Sequence, residues 1–225
     1  YLLVFSFTKE GRPYLHTNDT TAPPISIFDH TTNASRLIAQ RSPTQAHKTL
    51  GVMQSPDLSS TAEHQRLLLK TQNAAKALLP ARLTSAETMT YIFSVYRPGI
   101  SWSAPVVNLS PSSWRAIEAP ILPVFLNSLG FPHSFPRVVA FGPRSLGGLG
   151  LPHGHTEQGV GHIRHLLHHI QHNTSVGRML TITLSWIQRY AGYSACLLAN
   201  PQLPITHVPS PWTSVLLQHL HRTSC

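Results

Sequence analysis

The spacing of apolar residues divides the 225-residue chain into an irregular first quarter and a helical remainder. Short apolar runs at 1–7, 24–28 and 50–53 are bounded by Gly, Pro, Asn and Asp, a pattern typical of short strands joined by turns. From about residue 60 onward, apolar residues recur every three or four positions, which predicts amphipathic helices. We therefore expect an α+β fold, mainly α with an N-terminal β-rich segment.

Local start and stop signals predict the first two helices. Residues 60–63 (STAE) and 84–87 (TSAE) both fit the capping box, in which the first and last side chains satisfy backbone N–H groups of the opening turn. Pro80 predicts the end of the first helix and Pro98-Gly99 the end of the second.

Proline and glycine also predict the later helices. Ser110 before Pro111 predicts the start of a third helix running to about residue 129, in which Pro120 and Pro123 predict a kink or two short helices. Further helices are predicted at about 160–170, at 176–190, and from a Ser210-Pro211 cap to about residue 222.

A glycine-rich stretch at 141–152, FGPRSLGGLGLP, separates two helical regions. Its interleaved leucines predict an ordered, partly buried turn. No Gly-Lys-Ser/Thr follows, and His153 stands where a dinucleotide fingerprint has its third glycine, so the pattern argues against both phosphate-loop motifs. We divide the chain into a β-rich segment at 1–57, a helical domain at 58–140, and the glycine loop with further helices at 141–225.

The balance of basic and acidic residues says more about possible partners than the overall composition does. Seventeen Lys and Arg against eight Asp and Glu give a formal charge of +9, although only 11% of residues are charged. This excess favours a polyanionic partner. The few carboxylates are not paired in the chain, which argues against two-metal or paired acid/base catalysis.

Cysteine content and hydropathy bear on the cellular compartment of the protein. Two cysteines do not form a disulfide framework, so we expect an intracellular protein, nuclear or cytoplasmic and not secreted. The apolar run at 1–7 is too short to span a membrane, and we expect no membrane partner. Because the sequence begins with Tyr1, we expect a segment of a longer product.

The first predicted helix has one basic side, opposite its apolar side. Arg66, Lys70 and Lys76 lie there, with Lys48 before the helix and Arg82 after it. Cations in such a row can follow a sugar-phosphate backbone without reading sequence. The alternative is an ordinary solvated helix face.

Histidines cluster after the glycine loop, and His162, His165 and His169 have a helical spacing that could bring imidazoles together for zinc. No HExxH pattern accompanies them, and a polar helix face that gains charge at low pH explains the same spacing. We predict no metal site and no catalytic residue, and a zinc-dependent enzyme is the least favoured alternative. The four tryptophans are predicted to be core anchors, unless an exposed one stacks on a nucleic-acid base.

Several segments resemble the region that follows the catalytic palm in reverse transcriptases of non-LTR retrotransposons. Their order matches the family over about residues 47–172. The similar segments are 47–52 (HKTLGV, like the family's "YLG" strand), 96–105 (YRPGISWSAP, like its thumb), 113–118 (SWRAIE) and 146–152 (LGGLGLP, like its "GGLGLP" segment).

The departures from that family define what the resemblance implies. The paired-aspartate turn of the polymerase site is absent, Thr49 replaces an aromatic residue, and residues 102–104 replace the usual Tyr-Gly. The resemblance implies a thumb-like helical bundle and connector without catalysis of its own, from a parent RNA-directed DNA polymerase whose missing palm would hold Mg²⁺. It also implies that the first helix, with Arg66, Lys70 and Lys76, lies against an RNA/DNA template-primer duplex, and we expect Lys48 and Arg82 to add to this contact from the charge pattern alone. The alternative is a decayed retroelement fragment with no selected activity.

Overall fold

The computed structural model describes residues 4–10, 13–16, 25–37, 44–203, 205 and 211–223. It is mostly helical, with antiparallel strand pairs near the N-terminus, which confirms the predicted mainly α, α+β class. The chain divides into two compact units, residues 1–63 and 64–225. We call them the N-terminal unit and the helical unit and describe each separately.

The described strands of the N-terminal unit form three antiparallel hairpins, each with two strands. The predicted strand at 50–53 is confirmed for Val52 and Met53 but wrong for the first two residues, because Leu50 and Gly51 form a turn with φ values of 49° and 89°. Two successive positive φ values match the tight hairpin turn whose twist suits the flanking strands. The strands are β1 Val4–Phe7, β2 Pro13–His16, β3 Ser26–Asp29, β4 Ala34–Leu37, β5 His47–Thr49 and β6 Val52–Gln54.

Nine α-helices lie in the described part of the chain. Several of them begin where the sequence predicts a capping residue. The capping box at Thr84 is confirmed: its hydroxyl accepts from the Glu87 N–H at 3.4 Å, and the Glu87 carboxylate accepts from the Thr84 N–H at 2.8 Å. The helices are α1 Thr61–Leu78, α2 Ser85–Tyr91, α3 Arg97–Ser101, α4 Pro111–Glu118, α5 Leu122–Ser128, α6 Arg137–Phe141, α7 Gly154–Gln171, α8 Ser175–Tyr190 and α9 Pro211–Thr223.

The predicted stop at Pro98-Gly99 is wrong, because helical backbone continues through both residues into α3. A five-residue π-helical segment, Ile92–Tyr96, joins α2 to α3. In an α-helix the Pro98 ring would crowd the carbonyl four residues earlier, whereas the wider π turn displaces that carbonyl. The chain therefore stays helical where proline normally ends a helix.

Prolines divide the next helix as predicted. Ser110 caps α4 by accepting from the Ser113 N–H at 3.1 Å, and Pro111 occupies the first turn. Pro120 falls between α4 and α5, so the prediction of two short helices is confirmed. The short helix α6 was not predicted.

Helix α7 is the central element of the helical unit. It packs against α3, α4, α8, α9 and the 3₁₀ turn Ala104–Val106. Trp114 of α4 is fully buried, and its ring lies so close to Gly154 that a Cβ there would be 2.1 Å from it. Among the described helices, none is long and apolar enough to cross a membrane.

Three predictions fall on residues outside those described. They are the strand assignments at residues 1–3, the strand start at Pro24, and the Ser210 cap of the last helix.

Candidate functional site

The cations predicted to bind phosphate lie mostly on the solvent side of α1. Its buried side carries Leu67, Thr71 and Ala75, as the apolar spacing predicts. Lys76 is exposed, and Arg66 is partly buried. Lys70 is exposed as well, and its Nζ donates to the Gly99 carbonyl at 2.9 Å.

The other two predicted cations lie outside α1. Arg82 is exposed just after the helical turn that follows α1, with a left-handed φ of 47°. Lys48 is exposed on β5 of the N-terminal unit. The helical unit therefore contains four of the five predicted residues, three of them on one helix.

All of the net charge belongs to the helical unit. The N-terminal unit has five basic and five acidic residues, whereas residues 64–225 have twelve basic residues against three acidic ones, a net of +9. Each of those three carboxylates also has a structural partner. Glu87 caps α2, Glu157 pairs with Arg97 at 2.9 Å, and Glu118 accepts from the Gly154 N–H at 2.6 Å.

A cleft of about 570 Å³ lies beside the glycine loop, and we call it the arginine cleft. Three arginines line it, and two of them, Arg115 and Arg137, have no hydrogen-bond or ion-pair partner among the described residues. The third is Arg97, which pairs with Glu157. The other lining residues include apolar side chains, Phe93, Val138, Phe141 and Leu151, and three prolines, Pro111, Pro143 and Pro152.

The buried carboxyl of Glu118 forms part of the cleft wall. Only 2% of Glu118 is exposed, and burial raises its pKa to about 7, against the opposing effects of the Gly154 N–H, Arg137 and Arg115. Its Oε1 accepts from Gly154, whereas Oε2 has no hydrogen-bond partner and lies 3.9 Å from His153 Nε2. A carboxyl of this kind can hold a proton near neutral pH.

His153 lies at the start of α7, on the same cleft wall. Burial lowers its pKa, and the positive charges of Arg137 and Arg115 lower it further. The same two arginines also act on Glu118, so four ionisable groups from α4, α6 and the start of α7 share one small volume.

Main-chain hydrogen bonds hold the glycine loop in place as one wall of the cleft. Leu149, Gly150 and Leu151 donate to the carbonyls of Val139, Gly142 and Ala140 at 2.8–3.0 Å. A Cβ at Gly148 would lie 2.2 Å from the Gly142 carbonyl oxygen, so the backbone approaches itself too closely for a side chain. The prediction of an ordered, partly buried turn is confirmed.

The histidines of α7 serve different structural roles. His162 is fully buried, its Nε2 lies 3.0 Å from the Val107 carbonyl, and burial lowers its pKa to about 4. The rings of His165 and His169 are in contact, at 4.3 Å between centroids. Within the described ranges, no three His, Cys, Asp or Glu side chains are grouped as metal ligands.

The tryptophans divide between core and surface. Trp114 is buried, and Trp212, which is partly buried, donates to the Pro105 carbonyl at 3.3 Å. Trp102 and Trp186 are 66% and 51% exposed, so the prediction of core anchors is wrong for these two.

Sequence reasoning missed the cleft because its charged residues are distant in the chain. Arg115, Glu118, Arg137 and His153 come together only when α4, α6 and α7 pack. The one available signal was the glycine loop, whose tight path was correctly predicted.

No protein-family model, curated protein or solved structure matches this chain.

Proposed function

We propose that the chain binds nucleic acid through backbone phosphates, as the thumb and connector part of a reverse transcriptase of the retrotransposon type. Its contacts are made by Arg66, Lys70 and Lys76 on α1 and by Arg82 after it. Lys48 is a separate candidate contact in the N-terminal unit. One observation carries the proposal: the +9 charge lies in the helical unit, where all three carboxylates have structural partners. A polyanion meets little competing negative charge there.

The physical basis is the release of counterions from the nucleic acid. Each cation that neutralises a phosphate adds about 0.7–0.9 to the slope of log K against log salt. Arg66 and Lys70 lie one turn apart on one side of α1, and Lys76 lies less than two turns further along. Such contacts position a duplex without reading its sequence. The chain supplies no catalytic group in this proposal, and its partner is an RNA/DNA template-primer duplex.

The test is fluorescence anisotropy with an RNA/DNA hybrid, between 50 and 300 mM salt. We expect Arg66→Gln, Lys70→Gln and Lys76→Gln together to lower the magnitude of the salt slope by about 2 to 3. The matched control is Arg164→Gln, Arg178→Gln and Arg189→Gln on α7 and α8, which removes the same charge from three exposed residues. An equal loss in both variants would mean that only overall charge matters, and an unchanged slope in the α1 variant would refute the proposed contacts.

A further inference from the structure

We propose that the arginine cleft binds the phosphate of a nucleotide, either free or at the 5′ end of a strand. The inference is independent of the α1 surface, because it depends on different residues and a different ligand group.

The free arginines provide the first argument. Arg115 on α4 and Arg137 on α6 both line the cleft, and neither has a partner among the described residues. Arginine guanidinium groups bind phosphate oxygens in pairs of parallel hydrogen bonds. Both side chains are exposed and come from different helices that line one cleft, so an anion in the cleft can meet both.

The start of α7 provides the second argument. This 18-residue helix presents its first turn to the cleft, so the partial positive end of its dipole faces the same space. That turn includes His153, Thr156 and Glu157, whose carboxylate pairs with Arg97. Glu118, with only 2% of its surface exposed, ends in the same wall with one oxygen unpaired. Burial keeps that carboxyl protonated in mildly acidic solution, where it does not repel an anion and has a proton to donate.

The remaining lining indicates what accompanies the phosphate. Phe93, Phe141 and Val138 give the cleft apolar walls. A volume of about 570 Å³ exceeds what a lone phosphate needs and lies in the usual range for small-molecule sites. An anionic group beside a flat, largely apolar ring is the chemistry of a nucleotide.

The experiment is isothermal titration of the whole chain at pH 6.0 with AMP, inorganic phosphate, and a short oligonucleotide with and without a 5′ phosphate. Besides the arginines, the charged or titratable groups near Glu118 are His153 and Tyr96, so pH is held constant throughout. We expect saturable AMP binding that competes with the 5′-phosphorylated strand if strand ends are ligands. Failure of that strand to compete assigns the site to free nucleotides. The 5′-hydroxyl strand should not compete in either case.

Variants decide whether the cleft is responsible. Arg115→Gln with Arg137→Gln should weaken AMP binding by at least about tenfold, and AMP should shift the NMR signals of the His153 ring in the wild type. The control Arg178→Gln with Arg189→Gln on α8 should leave AMP affinity unchanged, as should the α1 triple variant. Equal losses in the cleft and control variants, or an affinity for inorganic phosphate equal to that for AMP, would overturn the assignment.

Discussion

Replacing Glu118 with glutamine tests the electrostatics of the arginine cleft. Burial raises the pKa of this carboxyl from 4.5 to about 7 in the folded chain. The folded protein therefore holds the proton more tightly than the unfolded chain does. The stability that this contributes is complete below about pH 4.5, decreases as pH rises, and is lost above about pH 7.

The size of the effect follows from the shift in pKa. A difference of about 2.5 pH units corresponds to about 3 kcal/mol in the free energy of unfolding. Glutamine cannot ionise, and its oxygen can still accept from the Gly154 N–H. We therefore compare the free energy of unfolding of Glu118→Gln with that of the wild type at pH 4.5 and at pH 8. The difference should change by about 3 kcal/mol in favour of the variant at the higher pH, because only the wild type then has to bury a charge.

Urea unfolding followed by circular dichroism at several pH values measures this difference. His162, whose own pKa is lowered to about 4, is present in both proteins, so its titration cancels. Glu87→Gln is a useful control with the opposite sign. Hydrogen bonds from Thr84 lower the pKa of Glu87, so the wild type gains stability as this carboxyl ionises and the variant does not. The stability of the variant relative to the wild type should therefore decrease as pH rises. If the free energy of unfolding of Glu118→Gln differed from that of the wild type by the same amount at every pH, the reasoning would be refuted.

Three further variants and one melting experiment test the helical unit. Gly154→Ala should destabilise it by about 1–3 kcal/mol in urea unfolding, because the new Cβ would overlap the ring of Trp114. His162→Gln should lose less stability than the wild type between pH 6.5 and pH 4, since the lowered pKa makes His162 costly to protonate in the fold. Gln158→Leu should cost at least about 3 kcal/mol in thermal melts, because it leaves three buried hydrogen-bonding groups unpaired. A single cooperative calorimetric transition is expected for a selected fold, whereas a broad one would favour the decayed fragment.

The elements that sequence predicted well are those with local causes. The Thr84 capping box and the division at Pro120 depend on residues within one turn of each other, so both could be read from the chain. Pro98 shows the limit of such reasoning. Whether proline ends a helix depends on the turn before it, and a π segment there has no strong sequence signal.

The candidate sites follow the same division. Arg66, Lys70 and Lys76 lie on one helix, so helical periodicity alone placed them on the side opposite the buried residues. Glu118 and Arg137 line the same cleft only in the folded chain, because they lie on separate helices. The burial of Glu118 could not be inferred, because a glutamate among serines and alanines usually lies on the surface.

The polar groups buried along α7 set the axial position of that helix. Gln158 accepts from the Leu109 N–H and the Trp114 indole and donates to the Leu109 carbonyl, while His162 reaches the Val107 carbonyl one turn later. An apolar interface would permit α7 to slide or rotate among arrangements of similar energy. Here any such shift would leave several buried polar atoms without a hydrogen-bond partner and without access to water. Substitutions elsewhere on α7 can therefore change its surface without shifting the helix. The buried hydrogen bonds thereby also hold the residues of its first turn in place.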